Sequence, residues 1–152
     1  MKIKILLILS CLSISACVAD LSAQSSNSMG IEEQGAIALE RGDYRTALEK
    51  MKLLADSGDP DAVFGVGYLM LAWLDDPDPM ESSPHIVDDA LIWIRKAAKM
   101  GVPQAASTLR VGYEWGRYSL EKDIVLENCW REVERKEVGP EKCLTIESSR
   151  EK

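Results

Sequence analysis

The 152-residue sequence contains one histidine, His85, and one phenylalanine, and it has no cluster of basic residues. A single histidine excludes three-histidine zinc sites and removes the usual residue for imidazole-based acid–base catalysis. The 18 basic and 25 acidic residues give a net charge of −7. Without a basic cluster we expect no nucleic-acid binding, because that requires Lys and Arg to neutralise phosphates. The 46% of hydrophobic residues and the length are ordinary for one globular domain.

The N-terminus has the organisation of a secretory signal peptide. Two lysines precede an apolar run over residues 5–14, which is too short to span a bilayer. Its end, Ile14-Ser15-Ala16-Cys17, resembles the lipobox of bacterial lipoproteins. The resemblance implies that residues 1–16 are cleaved off and that Cys17 receives a diacylglyceryl group. The alternative is plain export, with cleavage after Ala19 or Ala23.

This interpretation places the mature chain on the periplasmic side of a bacterial envelope. Val18 follows the cysteine, which by the sorting pattern of such lipoproteins indicates an anchor in the outer membrane; a soluble periplasmic or secreted protein is the alternative. Loss of the two leader lysines makes the charge −9. We therefore expect membrane contact through the lipid anchor only. Residues 17–30 are rich in Ser, Asn, Gln and Ala, a composition typical of a flexible tether.

The rest of the chain contains an internal repeat. The segment from Ala47 to Gly58 has the same spacing as the segment from Ala90 to Gly101, at an offset of 43 residues. A partial third copy aligns Trp130 with Trp93, at an offset of 37. An insertion over residues 75–85 accounts for the longer offset. Such self-similarity indicates an architecture built from stacked units.

The second copy fits the pattern A-x-x-W-x-x-K-A-A-x-x-G and resembles the Sel1-like repeat, a relative of the tetratricopeptide repeat. The resemblance covers about residues 36–130, with Lys50 and Arg110 as departures from the pattern. It implies an all-α fold: a short right-handed solenoid of about three helix hairpins over residues 31–136. Residues 137–152 would form a C-terminal cap or tail. In such solenoids the first helix of each hairpin lines the concave surface.

The periodicity of apolar residues predicts helices without that resemblance. Asp43 and Asp59 are suited to cap helices, and Pro60 and Pro103 are suited to first turns. No segment alternates with the period of two that is typical of a strand. The predicted helices span residues 31–41, 44–57, 60–74, 86–100, 103–115 and 121–136, with a short seventh helix after Pro140.

Two cysteines follow the lipobox cysteine, since Cys11 lies within the leader. An even count in an exported chain indicates a disulfide between Cys129 and Cys143. That bond would attach the C-terminal segment to the last repeat helix. The alternative is two buried free thiols.

Aromatic residues supply the candidate binding surface. Trp93 and Trp130 stand at the tryptophan position of the repeat and are predicted to pack inside. Aromatic residues on the first helices are favoured anchors for a partner, although core packing is the competing interpretation. The predicted partner-binding residues are Trp73, Trp115, Tyr113, Tyr68 and Phe64, together with Asp75, Asp76 and Asp78 of the acidic loop.

Catalytic and metal-binding patterns are incomplete. Ser119 and Lys122 fit the S-x-x-K motif of serine β-lactamases, but the companion motifs are missing. His85 and Cys129 would form a dyad only if the fold brought them together. The acidic run around Asp75 lacks the spacing of a calcium loop. We expect no catalytic residue, metal or cofactor.

The sequence therefore predicts a non-catalytic protein–protein interaction module, acting as a scaffold or adaptor in the bacterial envelope. Its partner would be a protein or peptide, and the negative charge favours a basic one. One alternative is a periplasmic immunity protein that neutralises an antibacterial toxin, such as a phospholipase or a cell-wall hydrolase. A β-lactamase-like hydrolase is a remote alternative.

Overall fold

The computed structural model describes residues 30–72 and 85–150, and these form seven α-helices and no strand. The predicted all-α class is confirmed, and each predicted helix is present. The helices are α1 (Ile31–Glu40), α2 (Tyr44–Asp56), α3 (Pro60–Ala72), α4 (Ile86–Lys99), α5 (Pro103–Trp115), α6 (Ile124–Glu134) and α7 (Pro140–Ser148).

Aspartates fix several helix starts, as predicted from the sequence. The Asp43 carboxylate accepts a hydrogen bond from the backbone N–H of Thr46 at 3.0 Å. Hydrogen bonding from Thr46 holds the pKa of Asp43 below its usual 3.8. Asp59 likewise accepts from the backbone N–H of Ala62 at 3.0 Å. Each carboxylate satisfies a donor that the first turn of a helix leaves free.

The helix predicted near residues 121–136 begins three residues later, at Ile124. Asp123 is the N-cap, and its carboxylate accepts hydrogen bonds from the backbone N–H groups of Val125 and Leu126 at 2.9 and 3.1 Å. The cap requires a non-helical backbone at Asp123, so α6 begins at Ile124.

Each helix packs chiefly against its neighbours in the sequence, from α1 on α2 through to α6 on α7. The turns after α2 and α4 are equivalent in the repeat: Gly58 has φ +94° and Gly101 has φ +88°. Glycine adopts these left-handed conformations without the clash of a Cβ atom. Helix α7 departs from sequential packing, because it contacts α4 as well as α6.

The core extends through all the helix pairs. Small residues such as Ala47, Ala97 and Ala105 are fully buried, which lets neighbouring helices approach closely. The largest fully buried side chains are Trp130, Ile94, Leu109, Val63, Val66 and Cys143.

Gly67 marks the closest approach of α3 to α4. A Cβ atom at this position would lie 2.8 Å from the carbonyl oxygen of Ala90 and 2.9 Å from the Ile94 side chain. We expect Gly67→Ala to lower the free energy of unfolding by about 1–3 kcal/mol, because the α3–α4 contact is too tight for the extra carbon. Urea denaturation followed by circular dichroism measures the change.

Gly35→Ala is the matched control, because a Cβ atom there would meet the Lys50 Cβ at an ordinary 3.4 Å. This substitution in α1 should leave the stability unchanged or raise it, since glycine weakens a helix interior. Equal losses for the two variants would contradict the assignment of a tight contact at Gly67.

Candidate functional site

Phe64 and Tyr68 form an aromatic pair on α3. They lie one helical turn apart, and their ring centroids are separated by 5.6 Å with the ring planes inclined at 31°. Phe64 is half-buried against the core, whereas Tyr68 is exposed. Phe64 therefore supports the ring of Tyr68, which is available to a partner.

Trp115 ends α5, and its side chain is 58% exposed. A large apolar ring in water gains free energy when a partner covers it. The other tryptophans of the described segments differ. Trp130 is fully buried, as predicted, and Trp93 is half-buried against the core with the Lys96 ammonium 4.8 Å from its ring centroid.

Tyr113 is a core residue, and its predicted place on a binding surface is wrong. Its side chain is 6% exposed, and burial together with the charge of Glu147 raises its pKa to about 12. Successive helical residues are separated by about 100°, so Tyr113 and Trp115 point to nearly opposite sides of α5. The side of α5 that exposes Trp115 therefore lies opposite the side that buries Tyr113.

The other predicted contact residues, Trp73, Asp75, Asp76 and Asp78, lie outside the described residues. So do the lipidation site Cys17, the leader and the tether. The two exposed aromatic residues of the described candidate surface are Tyr68 and Trp115.

Cys129 and Cys143 form a disulfide, with the sulfur atoms 2.06 Å apart, and this prediction is confirmed. The bond joins α6 to α7, and both cysteines are buried. Cys129 therefore offers no thiol for the dyad considered with His85. The histidine lies exposed at the start of α4, beside the carboxylate of Asp88.

A buried polar cluster accompanies the disulfide and was not foreseen from the sequence. Glu147 on α7 is buried, and it accepts hydrogen bonds from Arg95 Nε at 2.6 Å and from Trp130 Nε1 at 3.0 Å. The cluster connects α4, α6 and α7. Glu147 therefore positions the C-terminal helix and supplies no reactive group to the surface.

A partial signal for this cluster is present in the sequence. Glu147 follows Cys143 by four residues, so the two side chains share a face of α7. Once the disulfide directs that face inward, Glu147 must enter the interior as well. A buried carboxylate then requires a donor, which Arg95 supplies from 52 residues away.

Ser119 and Lys122, the residues of the S-x-x-K pattern, are exposed on the loop between α5 and α6. Among residues 30–72 and 85–150, no group of three or more His, Cys, Asp or Glu side chains is arranged to hold a metal ion. No helix within these ranges has the length and apolarity needed to cross a membrane.

An open groove of about 450 Å³ lies between the α4–α5 turn and the segment that joins α6 to α7. Its walls are mainly apolar, from residues such as Val102, Ala106 and Val133, and Glu134 and Lys136 also line it. No buried side-chain polar atom in the described part of the chain lacks a hydrogen-bond partner.

The arrangement is a helical scaffold with isolated aromatic side chains at its surface. Comparison of the chain with family models, with curated proteins and with solved structures found no match.

Proposed function

We propose that this protein is a non-catalytic adaptor that binds another protein through exposed aromatic residues on a rigid helical scaffold. The observation that carries the proposal is Trp115, a large apolar side chain that is 58% exposed on a helix whose other side is buried in the core. Tryptophan is enriched among the residues that dominate protein–protein binding energies. A preformed helical surface also reduces the entropy lost on binding.

The architecture that we infer is a short right-handed solenoid of three helix hairpins, closed by α7. The sequential packing of the helices and the equivalent turns at Gly58 and Gly101 support it. The resemblance to the Sel1-like repeat supports it as well. In this arrangement α1, α3 and α5 are first helices, so that Tyr68 and Trp115 would belong to the concave side.

The proposed location is the periplasmic side of the outer membrane, with a lipid on Cys17. The leader sequence supports export, and the Cys129–Cys143 bond suits an oxidising compartment. Metabolic labelling with an alkyne fatty acid tests the anchor: the wild type should take up the label and fractionate with membranes, whereas Cys17→Ser should do neither. Label retained in the variant would contradict an anchor at Cys17.

Trp115→Ala is the direct test of the binding surface. We expect the dissociation constant for the partner to rise at least about tenfold, because truncating a central tryptophan removes a large buried contact. The partner is first cross-linked to the wild type in intact cells, identified and purified. Isothermal titration calorimetry then compares its affinity for the wild type and the variant.

Ile92→Ala is the matched control, since Ile92 is also exposed but lies on α4. Circular dichroism and urea denaturation should show that both variants fold like the wild type. An unchanged affinity for Trp115→Ala, or an equal loss for the two variants, would exclude Trp115 as the binding residue.

A further inference from the structure

Three exposed apolar residues lie near the turn that joins α5 to α6, and we name Trp115, Ile124 and Val125 the α5–α6 patch. Ile124 is 70% exposed, and Val125 is also exposed. The backbone N–H of Asp123 donates to the carbonyl oxygen of Tyr113 at 3.1 Å, so the end of α5 lies beside the start of α6. Trp115 lies two residues after Tyr113, and Ile124 and Val125 directly follow Asp123. The three residues therefore lie at the same end of the α5–α6 hairpin.

The composition of the patch is not explained by the stability of the helix. Ile124 and Val125 occupy the first turn of α6, where acidic residues interact favourably with the helix dipole. β-Branched side chains are also weaker helix formers than straight-chain residues. Single exposed apolar residues are common, whereas three of them at one end of a hairpin favour a contact surface.

The loop between the two helices holds a defined shape. Tyr118 and Ser119 both have φ +58°, a left-handed conformation that non-glycine residues seldom adopt. The backbone N–H of Leu120 closes the loop by donating to the carbonyl oxygen of Arg117 at 3.0 Å. The patch is therefore presented on a closed turn.

Two cations lie beside the patch. Arg117 and Lys122 are exposed, and neither forms an ion pair within residues 30–72 and 85–150. The stem of Lys122 lies over Gly116, where a Cβ atom would come within 3.2 Å of its Cγ. The Lys122 side chain therefore lies next to the residue that follows Trp115.

Most of the carboxylates around the patch form ion pairs within the chain. Glu114 accepts from Arg110 at 2.6 Å, and Asp123 is paired with Arg150. Glu121 is exposed on the same loop. The three loop residues Arg117, Glu121 and Lys122 together carry one positive charge, although Arg110 is shared between Glu114 and Glu134 and the chain as a whole is acidic.

From this combination we propose that the α5–α6 patch docks a protein segment that carries large apolar side chains with carboxylates beside them. The proposal rests on the proposed adaptor function and specifies the partner at that site. Apolar residues of the segment would cover Trp115 and Ile124, and its carboxylates would pair with Arg117 and Lys122. The nearby cations decide which charges the segment can pair with, and the overall negative charge of the chain matters less. Salt screens charges that are farther away than about 8 Å at physiological ionic strength.

The first experiment places the photoreactive residue p-benzoylphenylalanine at Ile124 of the full chain, in cells that express it. The matched position is Ile92, an isoleucine of similar exposure, and a third position is Tyr68. We expect the Ile124 probe to capture a protein that the Ile92 probe does not capture. Mass spectrometry should locate the cross-link in a segment that combines large apolar residues with Asp or Glu.

The second experiment measures the affinity of the captured protein, after purification, for charge-reversed variants. Arg117→Glu with Lys122→Glu should raise the dissociation constant about tenfold, because both pairs with carboxylates become repulsive. Arg45→Glu with Lys52→Glu on α2 changes the net charge equally at exposed residues far along the chain. This control should change the affinity much less.

The outcomes separate the two proposals. Capture at Tyr68 but not at Ile124 would leave the adaptor function standing and overturn the docking site. The docking site would also be overturned by a cross-link to lipid at Ile124, by a basic captured segment, or by equal effects of the two charge reversals. No captured protein from any of the three positions would overturn the adaptor function itself.

Discussion

Replacing Cys129 and Cys143 together with alanine is expected to lower the free energy of unfolding by about 3 kcal/mol, the value for a closed loop of about 15 residues. The disulfide joins residues that are 14 apart in the sequence. Helix α7 has nine residues, too few to be stable in isolation, so its position depends on attachment to α4 and α6. Loss of the bond also removes buried sulfur atoms from the core.

Urea denaturation of the wild type and the double variant measures this effect. Wild-type protein reduced under denaturing conditions and refolded with a thiol reductant is the matched control, and it should lose a similar amount of stability. Identical midpoints for the oxidised wild type and the double variant would contradict the stabilising role. Alkylation of both thiols without prior reduction would show that the disulfide itself is absent.

Glu147→Ala is expected to lower the free energy of unfolding by about 3 kcal/mol, because removing one member of a buried ion pair leaves the other charge uncompensated. Arg95 is the group left behind, with 25% of its side chain exposed, and Trp130 loses the acceptor for its indole N–H. Partial exposure of Arg95 places the expected loss at the lower end of the range for buried pairs. The loss should appear in urea denaturation and as faster amide exchange in α7.

Glu132→Ala is the matched control, since Glu132 also connects α6 to α7. Its carboxylate accepts from Lys142 Nζ at 3.0 Å, but both side chains are substantially exposed. A surface ion pair of this kind contributes about 0.2–1 kcal/mol. Similar losses for Glu132→Ala and Glu147→Ala would show that burial does not strengthen the Glu147 interaction.

Local signals made the helices predictable from the sequence. Each aspartate cap bonds a backbone N–H that is two or three residues away. Each glycine turn depends on the backbone conformation of a single residue, Gly58 or Gly101. The disulfide was predictable for a different reason, because a chain that is predicted to be exported and has two cysteines after the lipobox-like segment leaves one pairing. None of these inferences required knowledge of which helices meet in space.

The buried cluster and the binding surface depend on that knowledge. Arg95 and Glu147 are 52 residues apart, so no periodicity within a helix relates them. Tyr113 is predicted to lie on the binding surface because it is an aromatic residue of a first helix, but residues two positions apart on a helix, such as Tyr113 and Trp115, face almost opposite ways. Likewise, the placement of Trp115 and Ile124 at the same end of a hairpin depends on the turn that joins α5 to α6.

The way α7 reaches back to α4 has a consequence for self-assembly. A row of stacked helices leaves an apolar flank at its last member, onto which another molecule can add head to tail. Here the last hairpin is covered by the chain's own α7, which is fastened both covalently and by Glu147. Shortening the chain before Gly139 removes α7, and we expect the shortened chain to aggregate at concentrations where the intact chain does not.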